Sequence, residues 1–140
     1  VPGIDACLEE AMGLPGARGA AVVDWTSGLA LGTVGESPNG DHEATAAETA
    51  ELARAAAEYT AFAPLPSLHQ PDRGAAADGD KGPPVEDLIV TTRTGYHILC
   101  FVETTFDSSV FLHLWLDRDT GNLALARLRL QQLAERMVLG

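Results

Sequence analysis

Apolar residues recur at three- and four-residue steps from Ile4 through Cys7, Leu8 and Ala11 to Leu14, while Asp5, Glu9 and Glu10 fall mostly elsewhere. That spacing predicts an amphipathic helix over residues 3–14, stopped by Pro15-Gly16. The period then changes. RGAAVVDW at 18–25 is a valine-rich run, and LALGTV at 29–34 follows it across Thr26-Ser27-Gly28, which predicts a β-hairpin. GESPNGD at 35–41 reads as a loop. Residues 42–63 are mostly alanine, glutamate and leucine and read as a second helix. Within it Ala46, Ala50, Ala53, Ala57 and Ala61 form one small-residue stripe, with Leu52, Tyr59 and Phe62 beside it. A stripe without bulk lets another backbone approach closely. That backbone is either the sheet of the same chain or the matching helix of a second copy, and the sequence favours neither.

Residues 64–84, PLPSLHQPDRGAAADGDKGPP, break every period and read as a long solvated loop insertion. Three strands follow: VEDLIVTT at 85–92, YHILCFVE at 96–103 and SVFLHLWLD at 109–117. In the second of these, Tyr96, Ile98, Cys100 and Val102 alternate with His97, Leu99 and Phe101. In the third, Val110, Leu112, Leu114 and Leu116 alternate with Phe111, His113 and Trp115. Strands apolar on both faces are covered on both sides, and the short connections make them antiparallel. A last helix is predicted over 120–138, capped by Thr120 or Asn122. Its buried stripe is Leu123, Ala126, Leu130, Leu133 and Met137, with Arg127, Arg129 and Arg136 toward water. The predicted class is α+β: a five-stranded antiparallel sheet with helices on both faces, an α/β/α sandwich. Its order is helix, strand, strand, helix, strand, strand, strand, helix.

The 140 residues have the length of one domain, and the reading is a single domain over 1–140. Charge narrows the partners. Nine basic residues stand against 20 acidic ones for a net charge of -11, and residues 1–82 hold 13 of those acids and only 4 bases. Such a chain repels phosphate backbones and anionic lipid, so neither nucleic acid nor a membrane surface is an expected partner. No apolar run reaches the roughly 18 residues of a membrane span, and VPGIDACLEE does not read as a signal peptide. Cys7 and Cys100 sit in apolar patterns and read as reduced core residues, which fits a cytoplasmic protein.

Candidate chemistry is sparse. Ser108, Ser109, His113 and Asp117 could be drawn as a triad, but nothing like a nucleophile elbow accompanies them. His97 and His113 fall on neighbouring strands and could touch. With no cysteine or carboxylate at ligand spacing, they read as two buried neutral imidazoles, each hydrogen-bonded once, rather than as a metal site. Gly13, Gly16 and Gly19 do not form a phosphate loop. The expectation is a non-enzyme with no catalytic, cofactor-binding or metal site. Glu43, Glu48, Glu51 and Glu58 read as a solvated helix face, or as a docking surface for a basic patch.

The order of elements resembles the roadblock domain of the dynein light-chain roadblock proteins and their bacterial relatives. Two stretches carry the likeness: PGARGAAVVDWTSGLAL at 15–31, and WLDRDTGNLALARLRLQQLA at 115–134. The resemblance implies a homodimer in which strand 85–92 pairs with its copy through Leu88, Ile89 and Val90. The second helices then pack together, which would use Ala46, Ala50, Ala53 and Ala57. It also implies a small Ras-like GTPase as partner in bacterial signalling, scaffolded or regulated by this chain. Glu48, Glu51 and Glu58 are the expected partner surface. A ligand-sensing module is the alternative, because sensors also combine an antiparallel five-stranded sheet with helices.

Overall fold

The structure is a computed structural model and describes residues 3–63, 84–102 and 109–139. Helix α1 (Ile4–Met12) leads into the hairpin β1 (Ala17–Asp24) and β2 (Leu29–Gly35), then helix α2 (His42–Glu58) and a 3-10 turn at Thr60–Phe62. Strands β3 (Asp87–Thr91), β4 (Gly95–Val102) and β5 (Val110–Asp117) precede helix α3 (Leu123–Leu139). All pairings are antiparallel, in the order β2-β1-β5-β4-β3. The α2 crossover therefore carries the chain from one sheet edge to the other. The predicted element order and sheet are the observed ones.

Alternation within the strands builds two cores. Ala20, Val22, Ile98, Cys100, Val102 and the even-numbered β5 residues Val110 to Leu116 face α1 and α3. Ala21, Val23, Leu99, Phe101 and Phe111 face α2. Gly32 lets α1 sit close on β2, because a Cβ there would meet Ile4 Cγ2 at 2.8 Å. Gly19 allows a tighter approach still, since its Cβ would lie 1.9 Å from the Glu36 carbonyl oxygen.

The turn signals act locally. Asp24 Oδ1 accepts the Thr26 amide at 2.9 Å and the Thr26 hydroxyl at 2.6 Å, closing the hairpin. Asp41 caps α2 by accepting the amides of Glu43 and Ala44. Of the two caps considered for α3, Asn122 does the work, accepting the Leu125 amide at 3.0 Å. Thr120 instead donates to Asp117 Oδ2. The hairpin carries a bulge: Val22 pairs with Gly32 but Val23 with Ala30, which leaves Leu31 as the extra residue.

Two expectations change. Helix α2 ends at Glu58 rather than at residue 63: Tyr59 is extended and the chain makes one 3-10 turn. Pro64 lacks the N–H an α-helix would need there, and its ring would strike the carbonyl of Thr60. The alanine stripe also resolves. Ala46, Ala50 and Ala53 are fully buried against the sheet of the same chain, and Ala57 packs beside them. These alanines are therefore used within one chain, and the surface α2 offers a second copy is its opposite side. The insertion at 64–84 lies, apart from Pro84, outside the described residues.

Candidate functional site

Strand β3 is the first candidate surface. It pairs with β4 on one side, and its other side has no strand partner among the described residues. Its five residues hold no lysine or proline, the residue types that blunt an edge. Ile89 and Val90 are 40% and 38% exposed, whereas Leu88 is half-buried against the α2-side core. By alternation Ile89 faces the α3 side, and Leu88 and Val90 face the α2 side. Below the strand, Arg127 Nε donates to Asp87 Oδ2 at 2.6 Å and ties α3 to β3. Sequence reading missed this tie, because nothing in either segment alone marks a pair 40 positions apart.

The outer side of α2 is the second surface. Glu48, Glu51 and Glu58 are all exposed, and Asn39 Nδ2 donates to Glu48 Oε1 at 3.5 Å. Leu52 and Tyr59 share that outer side, 43% and 60% exposed, and Phe62 on the following turn is 50% exposed. The surface is thus acidic with an apolar row through it. The sequence pointed to the acids but assigned Leu52, Tyr59 and Phe62 no role; their displacement from the alanine stripe was the signal.

The residues considered for catalysis do not converge. Ser109 Oγ donates to Asp24 Oδ1 at 3.2 Å. Asp117 Oδ2 accepts the Thr120 amide at 3.0 Å, the Thr120 hydroxyl at 3.1 Å and the Asp119 amide at 3.0 Å, and these bonds hold its carboxyl below the usual range. His113 is buried and meets His97 instead, Nε2 to Nδ1 at 2.9 Å. Ser108 lies outside the described residues. Burial pushes the Cys100 thiol up to about 12, which makes it a core residue and a poor nucleophile. No group of three or more metal-ligating side chains occurs among the described residues, and no described helix is long and apolar enough to cross a membrane.

Solved structures share this arrangement across nearly the whole chain. MglB from Myxococcus xanthus superposes with a TM-score of 0.69 at 18% identity, covering 96% of this chain and 84% of that one. MglC from Myxococcus xanthus gives 0.56 at 20% identity, covering 97% of both chains. A Roadblock/LC7 domain from Streptomyces avermitilis gives 0.56 at 19% identity, covering 94% and 92%. The chain has the roadblock fold. No protein-family model matches it, and no curated protein matches it by sequence. In this roadblock fold the two stretches that carried the resemblance are β1 with its hairpin, and the end of β5 leading into α3. They sit beside each other, because β1 and β5 pair at the centre of the sheet. Both candidate surfaces lie away from them, at the β3 edge and over the outer side of α2.

Proposed function

We propose that this chain is a non-catalytic, homodimeric roadblock-type scaffold or regulator of a small Ras-like GTPase in bacterial signalling, working in the cytoplasm as one domain over residues 1–140. The observation that carries the reading is the β3 edge. A five-residue strand with Ile89 and Val90 exposed, no lysine or proline, and its one charge, Asp87, already paired with Arg127 invites a second strand. Pairing with its own copy through Leu88, Ile89 and Val90 would satisfy the free backbone groups. An interface of ordinary size buries on the order of 800 Å² per partner. Self-association on this fold has a precedent in a neighbour described as MglB with tetrameric arrangement, which superposes with a TM-score of 0.66 at 17% identity.

The GTPase follows from the roadblock resemblance, and the acidic α2 surface supplies chemistry for it. Two copies of Glu48, Glu51 and Glu58 in one dimer would double a local negative field. A partner with a lysine- or arginine-rich patch would then be steered there, with binding that weakens as salt rises. The sensor alternative needs a ligand cavity of a few hundred Å³. The hollows of that size, about 460 Å³ beside Leu29, Leu31 and His42 and about 380 Å³ between Glu10 and Arg129, lie open at the surface, and the space reaching His113 in the interior measures only about 10 Å³. The test is affinity capture from the native lysate with light scattering on the purified chain. Enrichment of a Ras-like GTPase on a dimeric bait supports the reading. A clean monomer at micromolar concentration refutes the dimer, and a lysate yielding no GTPase refutes the partner.

A further inference from the structure

His97 and His113 lie on the α2 side of the sheet, one pair of positions out of register: His97 stands opposite Trp115, and Leu99 opposite His113. Their nitrogens are 2.9 Å apart, their ring centroids 5.2 Å apart and their planes 21° apart. A centroid separation close to the N···N distance plus two ring radii means that the rings meet edge to edge. A zinc ion, with Zn–N distances of about 2.0–2.1 Å, would need both lone pairs turned toward a common point off that line. The contact is therefore an N–H···N hydrogen bond. It requires at least one neutral ring, because an imidazolium has no acceptor.

The surroundings offer a cation little. From β3, Val90 stands directly opposite His97 and Leu88 opposite Leu99, both uncharged. From β5, the Trp115 ring lies parallel to His97 within 3° at 6.1 Å, and Asp117 is engaged by its own turn. From β1, the Arg18 guanidinium lies 4.2 Å over Trp115, and its Nη2 pairs with Glu36 at 3.4 Å. From α2, His42 and Thr45 line the water-sized space against His113, together with Glu36. Among the described residues no carboxylate bonds either ring. Burial lowers the proton affinity of His97. Burial, then the charges of His97 and His42, takes His113 down to about 3.

Resting on the dimer reading above, we propose that the His97–His113 pair makes assembly on the β3 edge proton-dependent: the neutral, singly bridged pair permits a second chain to cover Leu88 and Val90, and the protonated pair opposes it. A proton taken up by the pair leaves a cation behind Val90, and covering that edge strips the cation of water. Association therefore lowers the pair's proton affinity further. Below the pKa of the pair in the free chain, the free chain holds more protons than the dimer, so acid favours dissociation. Above that pKa the dimer is indifferent to pH. With one proton per chain and two chains, the dissociation constant rises by up to about 100-fold per pH unit inside the window.

The experiment is sedimentation equilibrium of the full chain from about pH 7.5 down to about pH 4, on the parent and on His97→Gln, because burial places both rings below the ordinary imidazole range. The parent Kd should rise at least tenfold, and that of His97→Gln should stay flat. A flat parent, or a variant that rises in parallel with it, overturns the proposal while leaving the dimer intact. A parent that is monomeric at the upper pH overturns the dimer reading and this proposal with it. Imidazole NMR of the parent gives a second readout should the variant not fold. The His97 pKa should fall as concentration drives the chain into the dimer, and a concentration-independent pKa overturns the proposal.

Discussion

Replacing Ile89 and Val90 together by threonine tests the β3 edge without dismantling it. Threonine keeps the branched Cβ that suits a strand, so β3 should still pair with β4. What changes is the apolar surface left over for a partner. Ile89 and Val90 are 40% and 38% exposed in the single chain. Complete burial of such a side chain is worth about 1.5–3 kcal/mol, so the unburied share amounts to about 1 kcal/mol each. Two chains bring four such side chains together, or about 4 kcal/mol. Each threonine retains one methyl, which leaves about 3 kcal/mol to be lost. At 1.4 kcal/mol per factor of ten, that raises the dimer dissociation constant by about 100-fold. Analytical ultracentrifugation over a concentration series reads this directly, with circular dichroism to verify that the variant is folded. A folded variant whose dissociation constant stays within about twofold of the parent would mean that the edge contributes nothing, and the dimer surface would have to be sought on α2 alone.

Three further outcomes follow from particular contacts. Phe111→Ala should cost about 3–5 kcal/mol in urea unfolding, because the ring is fully buried between the sheet and α2 and packs edge-on to Phe101. Burial pushes the Asp24 carboxyl up, but bonds from the Thr26 hydroxyl, the Thr26 and Ser27 amides and the Ser109 hydroxyl outweigh it and hold its pKa below the usual value. Its contribution is therefore complete above the unfolded carboxylate pKa of about 3.9 and is lost as pH falls through the lower folded value; the stability gap between parent and Asp24→Asn should narrow in acid, and a gap that widens there would refute the assignment. Glu51→Lys with Glu58→Lys should weaken binding of the captured GTPase about tenfold or more at low salt and much less at high salt, read by titration calorimetry; unchanged low-salt affinity would move the docking surface elsewhere.

Period and punctuation carried most of the fold. The alternation in 96–103 and 109–117 identified both faces of the central strands, and Pro15-Gly16 and Asn122 marked a helix end and a helix start because their chemistry acts within a few residues. What the sequence left open depended on distant neighbours. An alanine stripe has the same appearance whether it meets a sheet or another helix, and only the burial of Ala46, Ala50 and Ala53 under one chain decides between them. The stop at Glu58 was obscured because alanine continues to Ala63, past the point where Pro64 already forbids the turn. His97 and His113 were legible as neighbours, but the edge-to-edge contact depends on a two-residue offset across β4 and β5 that composition does not encode. The candidate surfaces were legible in part: exposed acids announce themselves, whereas an open strand edge is a property of sheet order.

The bulge at Leu31 bears on stoichiometry. A sheet has two ends, and a protein with two equally adhesive ends would grow into a ribbon without limit. Here the ends differ. The β2 end is distorted by the inserted residue, where Val22 and Val23 step past Gly32 and Ala30, and an irregular strand is a poor template for another. The β3 end is regular over all five of its pairs. A chain that pairs through β3 therefore consumes its one adhesive end in the first encounter, and growth stops at two. Straightening the hairpin by deleting Leu31 would restore a second template, and a soluble pair would then become the repeat unit of a fibre.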